Sequence, residues 1–185
     1  MLQQRYCLKL IYEMAMFMAK QIAAMKTQLR NVYILLLIFS NAAADQISKS
    51  IARQRLIYHE AIEIIGKHFV LMKVENRGAF LSTGDSLSGS VKFIFLTLIP
   101  LIALFYGMYL LVTRSNMPDV LVIGICFVIG GGLGNLTDRL FYGSVTDFLH
   151  IDLFIFKTGI FNIGDVSILI GMVMIVGNIY LKKIK

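Results

Sequence analysis

Charged side chains are scarce in this sequence. Only 16% of its 185 residues are Asp, Glu, Lys or Arg, whereas 57% are hydrophobic. Soluble domains typically have about a quarter charged residues and less than half apolar ones, so this chain cannot cover a globular surface with polar groups. The same composition excludes a disordered chain. Because the apolar residues lie in blocks long enough to cross a bilayer, the sequence predicts a multi-pass membrane protein.

The usual signatures of metal, disulfide and serine chemistry are also missing. The two cysteines, Cys7 and Cys126, match no metal-binding spacing and no disulfide framework. Cys126 lies in an apolar block, where a thiol usually packs in the interior. There are three histidines, and neither H-E-x-x-H nor G-x-S-x-G occurs. We therefore expect no metal and no cofactor.

Four apolar segments approach the length of about 20 residues that a transmembrane helix needs. They are residues 29–46, 93–112, 120–136 and 166–181. With four spans both termini lie on one side, and the short segments on that side, including the tail Lys182, Lys183 and Lys185, carry the denser Lys and Arg. The positive-inside rule then puts both termini in the cytoplasm. The net charge of +7 follows from this bias and from contact with membrane lipid, and we expect no nucleic-acid partner.

The first outer loop, residues 47–92, has structure of its own. Residues 60–65 are apolar at helical spacing and predict a short interfacial helix. Residues 68–76 contain the run FVLMKVEN, whose β-branched and aromatic residues predict a strand before the turn residues Gly78 and Gly84. The loop is therefore expected to form a small extracytoplasmic cap.

The N-terminal stretch 1–24 carries charges among its apolar residues and is too interrupted to cross a membrane. Met25-Lys26-Thr27 begins the basic flank that normally precedes a first helix. We predict a dispensable extension, residues 1–24, followed by a membrane domain, residues 25–185. The alternative is a signal peptide with a cleavage site at Ala42-Ala43-Ala44. The motif that starts at Asp45 argues against this alternative.

Carboxylates beside the apolar segments are the strongest functional signal, because a charge at membrane depth costs several kcal/mol. Asp138, Asp147 and Asp165 lie in three such segments. Each has an ordinary explanation: Asp138 belongs to a polar helix end, and Asp165 alone could cap a helix. Two aspartates held close together, however, share one proton and so provide an acid and a base near neutral pH. Such a pair can activate water for attack on a peptide carbonyl and protonate the leaving amine.

Five motifs now carry a resemblance to the lipoprotein signal peptidases (signal peptidase II, peptidase family A8). Asp45-Gln46-Ile47-Ser48-Lys49 resembles D-Q-x-[ST]-K, Asn76-Arg77-Gly78-Ala79 resembles N-x-G-A, Gly134-Asn135-Leu136-Thr137-Asp138-Arg139 matches G-N-x-x-D-R, Val145-Thr146-Asp147-Phe148 resembles V-x-D-F, and Phe161-Asn162-Ile163-Gly164-Asp165 resembles F-N-x-A-D. Each motif is weak alone, but five in order beside four predicted spans are highly specific.

The resemblance implies an intramembrane aspartic endopeptidase that removes the signal peptide of a prolipoprotein by cutting before a diacylglyceryl-modified cysteine. It implies a mainly α membrane protein, a bundle of four transmembrane helices with a small extracytoplasmic β-cradle, in the bacterial cell (inner) membrane. The active site would lie at the extracytoplasmic face. The expected partners are the diacylglyceryl-prolipoprotein substrate and membrane lipid, and the protein is expected to be a monomer.

The resemblance also implies roles for particular residues. The family's catalytic pair corresponds to Asp147 and Asp165. The positions that would support the site or bind substrate are Asn135, Asp138, Arg139, Asn162, Asp45, Asn76 and Gly78. Asp138 is the rival partner of Asp165, but the neighbouring Arg139 would keep it ionised and favours a structural role. Gly164 stands where the family usually has Ala, a change we expect to be tolerated because both residues are small.

Two functions of other classes remain open. A small proton-coupled carrier could use Asp138, Asp147 and Asp165 as a relay, but it predicts polar residues deep in the spans and an inverted repeat. The second and fourth segments offer only Thr97, Ser167 and Asn178, and the two halves are dissimilar. A non-catalytic scaffold would use Gly130 and Gly134 for helix packing, which leaves the carboxylates unexplained.

Overall fold

The computed structural model describes residues 2–78, 88–153 and 155–184. Ala79 and Gly84, which belong to the motif and turn predicted in the first outer loop, lie outside these residues. Within the described ranges, the elements in chain order are α1 (Leu2–Arg55), β1 (Ala61–Ile65), β2 (Phe69–Asn76), α2 (Gly89–Phe93), a π-helical turn (Ile94–Leu98), α3 (Ile99–Thr113), α4 (Asp119–Tyr142), β3 (Val145–Leu153), β4 (Phe156–Lys157) and α5 (Ile163–Ile184).

Four helical segments are long and apolar enough to cross a membrane. They are Met16–Arg55, Gly89–Thr113, Asp119–Tyr142 and Ile163–Lys182. Each contains one of the four predicted spans, so the prediction of a four-helix membrane protein is confirmed. Many large apolar side chains on these helices are exposed, as expected where helices face lipid. The first helix also continues back through residues 2–24, and the dispensability of that stretch stays a prediction.

Helix α4 packs closely on both α1 and α5 because glycines line its contact faces. A Cβ on Gly130 would lie 2.8 Å from the carbonyl oxygen of Ile38 in α1, and one on Gly124 would lie 3.0 Å from that of Gly171 in α5. The packing explanation for the G-x-x-x-G spacing is therefore right for Gly130. A core of buried apolar side chains lies beside these contacts: Ile34, Ile38, Leu104, Leu111, Val122, Cys126, Ile129 and Leu136. Cys126 packs there, as its sequence context predicts.

The four strands form an antiparallel sheet in the order β1-β2-β3-β4. The strand predicted at residues 68–76 is confirmed as β2. Its end pairs with the start of β3, with Val74 opposite Asp147 and Asn76 opposite Val145. Since α1 runs into β1, α4 runs into β3 and β4 leads into α5, the sheet lies at the end of the bundle where these three helices meet it.

The interfacial helix predicted at residues 60–65 is wrong. Ala61–Ile65 is strand β1, which pairs with β2 through Ala61 opposite Met72 and Ile62 opposite Leu71. Pairing with β2 stabilises the extended form of this short segment, which could not by itself offset the cost of starting an isolated helix. Gly66, with a φ of 50°, makes the turn that folds this β-branched segment back onto the next strand.

Candidate active site

Asp147 is carried into the site by strand β3, immediately after the end of α4. Helix α4 ends at Tyr142 and is capped by Gly143, whose φ of 72° is the left-handed conformation that glycine adopts at low cost. Four residues later the side chain of Asp147 is only 3% exposed. The Asn76 Nδ2 donates to its Oδ2 at 3.0 Å, and the Asn162 Nδ2 donates to its Oδ1 at 2.6 Å. Each oxygen of this carboxyl therefore has an amide donor.

Asp165 is held in the first turn of α5 by a capping box. The Asp165 N–H donates to the Asn162 Oδ1 at 2.9 Å, and the Asn162 N–H donates to the Asp165 Oδ2 at 3.2 Å. The Nδ2 of Asn135 in α4 donates to the Asp165 Oδ1 at 2.8 Å. The capping explanation for Asp165 is therefore right. The same bonds aim its half-buried carboxyl at the polar end of α4.

The two aspartates meet through Asn162. Its Nδ2 binds Asp147 while its Oδ1 binds the backbone N–H of Asp165. Burial, followed by the nearby charge of Asp165, raises the pKa of Asp147 from 3.8 to about 6, although the amide bonds and the charge of Lys49 act in the opposite direction. A pair of this kind holds a proton near neutral pH and can act as acid and base.

Asp138, the rival candidate, is bound into the fold instead. Its fully buried carboxylate forms an ion pair with Arg53 at 2.7 Å and accepts the Gln46 Nε2 at 2.9 Å and the Thr146 N–H at 3.0 Å. Lys49 lies 3.3 Å away. These contacts tie α1, α4 and β3 together, and the geometry favours the structural role.

Asp45 joins α1 to the beginning of α5. Its Oδ2 lies 2.7 Å from the Lys49 Nζ, and its Oδ1 accepts the Gly164 N–H at 2.7 Å. Asp45 is fully buried, so its charge needs both partners. The bond to Gly164 fixes the backbone just before Asp165.

Asn76, Gly78 and Arg139 form the side of the site nearest the sheet. The Asn76 Oδ1 accepts the Gly78 N–H at 3.0 Å, which turns the Asn76 amide nitrogen towards Asp147. Arg139 donates to the Gly78 carbonyl oxygen at 3.1 Å. The structure thus brings all the residues predicted for the site into one connected network.

Sequence reasoning missed several members of this network. Lys49 is fully buried between Asp45 and Asp138, and the four-residue spacing of Asp45, Lys49 and Arg53 on one helix face was the signal for it. Glu75 accepts bonds from Ser144 at 2.6 Å and Thr146 at 2.9 Å. The pairing of β2 with β3 creates these contacts, and no local sequence pattern predicts them.

Comparison with known proteins identifies the family. The model of the Peptidase A8 family, described as signal peptidase (SPase) II, matches residues 14–181. The chain belongs to the signal peptidase II family. A protein named lipoprotein signal peptidase from Desulforapulum autotrophicum is 34% identical over 143 residues, which cover 77% of this chain and 88% of that protein. One of the same name from Clostridium novyi is 32% identical over 145 residues, covering 77% and 93%.

Similarity extends to solved structures. A bacterial membrane enzyme solved by the in meso method at 2.3 Å resolution superimposes with a TM-score of 0.72 at 26% identity, covering 82% of this chain and 89% of that one. A second, solved at 1.9 Å, gives a TM-score of 0.69. The predicted family, the helical membrane fold and the assignment as a protease are therefore confirmed.

One departure from the signal peptidase II motif has a visible structural setting. A Cβ on Gly164 would lie 2.9 Å from the Gly131 carbonyl oxygen, 3.0 Å from the Asp45 Oδ1 and 3.1 Å from the Asn162 Oδ1. These distances are shorter than ordinary van der Waals contacts. In this member of the family, α4 and α5 approach so closely at Gly131 and Gly164 that glycine fits better than alanine.

Proposed function

We propose that this chain removes the signal peptide of diacylglyceryl-modified prolipoproteins by cutting the peptide bond just before the lipidated cysteine, and that Asp147 and Asp165 are its catalytic pair. The observation that carries the proposal is the convergence of two carboxyls from separate elements, β3 and α5, on one amide, that of Asn162. Membership of the signal peptidase II family supports the substrate class.

The chemistry needs one proton and one water molecule between the two carboxyls. The ionised carboxylate takes a proton from water as the water oxygen adds to the scissile carbonyl carbon. The protonated carboxyl donates its hydrogen towards the developing oxyanion, and the leaving amine receives a proton as the C–N bond breaks. Asn76 and Asn162 fix the carboxyl of Asp147, and Asn135 and Asn162 fix that of Asp165.

The location of the pair suits a membrane-embedded substrate. Asp165 lies in the first turn of α5, and Asp147 lies a few residues beyond the end of α4. A signal peptide is an apolar helix that can reach these helix ends from the bilayer. The acyl chains on the cysteine, worth about 0.8 kcal/mol per buried CH₂, remain in lipid. Because one chain supplies both carboxyls, a monomer is sufficient.

Mutation of each aspartate tests the proposal. With a purified, lipidated prolipoprotein peptide, Asp147→Asn and Asp165→Asn should each lower the cleavage rate by at least ~10²-fold, the lower bound for losing a general acid or base. Asp152→Asn is the matched control, because Asp152 lies on the same strand but pairs with the exposed Lys157 at 2.7 Å. Substantial cleavage by either catalytic variant would refute the dyad. Absence of cleavage by the wild-type chain would favour the carrier or scaffold.

We also propose that both termini face the cytoplasm and that the sheet and the catalytic pair face the outside of a bacterial cell membrane. The density of Lys and Arg near the termini supports this orientation. In a Cys7→Ser background, Lys157→Cys on the sheet should react with a membrane-impermeant thiol reagent in intact cells. Ser115→Cys, in the exposed turn between α3 and α4, should react only after the cells are broken. The reverse pattern would invert the topology.

A further inference from the structure

Lys49 is a buried cation whose hydrogen-bonding capacity is completely used. Its side chain is fully buried, and an ammonium group has three N–H donors. Its Nζ lies 2.7 Å from the Asp45 Oδ2, 3.3 Å from the Asp138 Oδ2 and 2.7 Å from the Asn135 Oδ1. Two partners balance its charge, whereas the third is a neutral amide that reaches the catalytic pair.

The bond from Lys49 determines how the Asn135 amide is oriented. The oxygen of an amide can only accept a hydrogen bond and its nitrogen can only donate one. Because Lys49 has only donors, the Asn135 Oδ1 must face it, and the Asn135 Nδ2 must then face the Asp165 Oδ1, at 2.8 Å. A donor directed at a carboxyl oxygen favours the ionised form of that carboxyl. If the amide were reversed, its oxygen would instead favour a protonated Asp165.

Each of the two carboxyls accepts two N–H donors, so burial and position on a helix or strand are what distinguish their surroundings. Asp165 is half-buried and lies in the first turn of α5, where the helix dipole favours a negative charge. Asp147 is 3% exposed and lies on a strand, which has no such dipole. The titratable groups that surround the pair on the packed elements are Asp45, Lys49 and Arg53 on α1, Glu75 on β2, and Asp138 and Arg139 on α4.

We propose that Lys49 is a positioning residue that acts through Asn135 to keep Asp165 as the ionised member of the catalytic pair, so that the shared proton resides on Asp147. The proposal rests on the dyad function proposed above. It assigns Asp165 as the base that takes the proton from water and Asp147 as the acid. Lys49 itself is fully buried, and its partners are Asp45, Asp138 and Asn135 rather than the catalytic aspartates.

A purely structural role for Lys49 would consist of neutralising Asp45 and Asp138. Asp138, however, also has Arg53, Gln46 and the Thr146 N–H as partners, and Asp45 also accepts the Gly164 N–H. Removing Lys49 together with the charge of Asp45 should therefore leave a folded protein. The double variant Lys49→Met/Asp45→Asn makes this change without leaving an unbalanced charge.

The experiment is the pH dependence of kcat for the full chain, purified and supplied with a lipidated prolipoprotein peptide. Activity falls at low pH as the base becomes protonated. In Lys49→Met/Asp45→Asn and in Lys49→Gln/Asp45→Asn, this acid limb should move to higher pH by ~1 unit, because the amide of Asn135 no longer has a fixed orientation. Asn135→Leu should produce the same shift, and adding it to the lysine variants should shift the limb no further.

Two controls separate this effect from general damage. Asp45→Asn alone measures the part of the shift that comes from losing this carboxylate, and the shift in the lysine variants should exceed it. Lys73→Met removes another buried lysine, one that donates to the Arg53 carbonyl oxygen at 3.3 Å and lies over the Tyr58 ring, and it should keep the wild-type acid limb. KM should stay close to its wild-type value in all of these variants.

Each result bears on the proposal. An unchanged acid limb in the lysine variants, or shifts from Lys49 and Asn135 that simply add, would overturn it. Failure of both lysine double variants to fold would assign Lys49 a purely structural role and overturn it as well. These outcomes are distinct from failure of the dyad itself, which would appear as cleavage by Asp147→Asn or Asp165→Asn.

Discussion

Substituting alanine for Gly134 should force α1 away from α4 at the buried ion pair. A Cβ at this position would lie 2.8 Å from the Cγ and 3.0 Å from the Cβ of Asp45, and closer still to its Oδ2. The carboxylate cannot rotate away, because Lys49 and the Gly164 N–H each hold it at 2.7 Å. The Cβ of Asp45 is attached to the backbone, so α1 itself must move.

The size of the effect follows from two opposing contributions. Overpacking a tight interior by one carbon costs ~1–3 kcal/mol, and the short distances to Asp45 put this site at the upper end. Alanine recovers ~1 kcal/mol of helix propensity relative to glycine. The net destabilisation is therefore ~2 kcal/mol, to which any weakening of the buried Asp45–Lys49 pair adds. At ~2–4 °C per kcal/mol, Tm should fall by ~4–8 °C.

Thermal unfolding of the purified protein in detergent measures the fall in Tm. The peptide cleavage assay measures the effect of the substitution on activity. Gly177→Ala is the matched control, because a Cβ on Gly177, also in a membrane helix, meets nothing within 4 Å. The control should unfold at or above the wild-type temperature and cleave normally. If Gly134→Ala were as stable and as active as Gly177→Ala, the close contact between α1 and α4 would be wrong.

Three further outcomes are expected. Because burial and Asp165 raise the pKa of Asp147 from 3.8 to about 6, the folded chain binds this proton more tightly than the unfolded chain does. Stability should fall by ~3 kcal/mol as the pH rises through this interval, and thermal unfolding of Asp147→Asn should lack that portion of the pH dependence. Gly164→Ala should lower Tm because its Cβ would lie 2.9 Å from the Gly131 carbonyl oxygen; an unchanged Tm would mean that α4 and α5 separate at little cost. A variant that begins at Met25 should insert and cleave at the wild-type rate, and an inserted but inactive protein would show that residues 1–24 are needed.

The parts of the fold that are encoded locally could be predicted. A membrane helix is recognisable from its own apolar length, and all four spans lie where the sequence predicts them. Strand β2 could be predicted because it contains β-branched and aromatic residues, Phe69, Val70 and Val74, and glycine follows it. The helix predicted at residues 60–65 is wrong because the choice between helix and strand for so short and mostly apolar a segment depends on a partner, here β2.

The candidate site could be predicted only as a set of residues. The motifs pointed to Asp147, Asp165 and their amide neighbours, and the network connects all of them. Which group binds which could not be inferred, because every bond between Asn135, Lys49 and Asp165 joins different helices. Lys49 lay in a quoted motif, but its complete burial depends on how closely the glycines let α4 approach α1.

The capping box at the start of α5 has a consequence for how the protein is made. Asn162 lies just before the fourth span and Asp165 lies in its first turn, and the bonds of Asn162 that start this helix also help to orient both carboxyls. On the proposed mechanism, a ribosome-bound chain with only its first three spans in the bilayer is unable to cut any peptide. Newly made membrane proteins nearby are thus not exposed to cleavage until the fourth span has inserted.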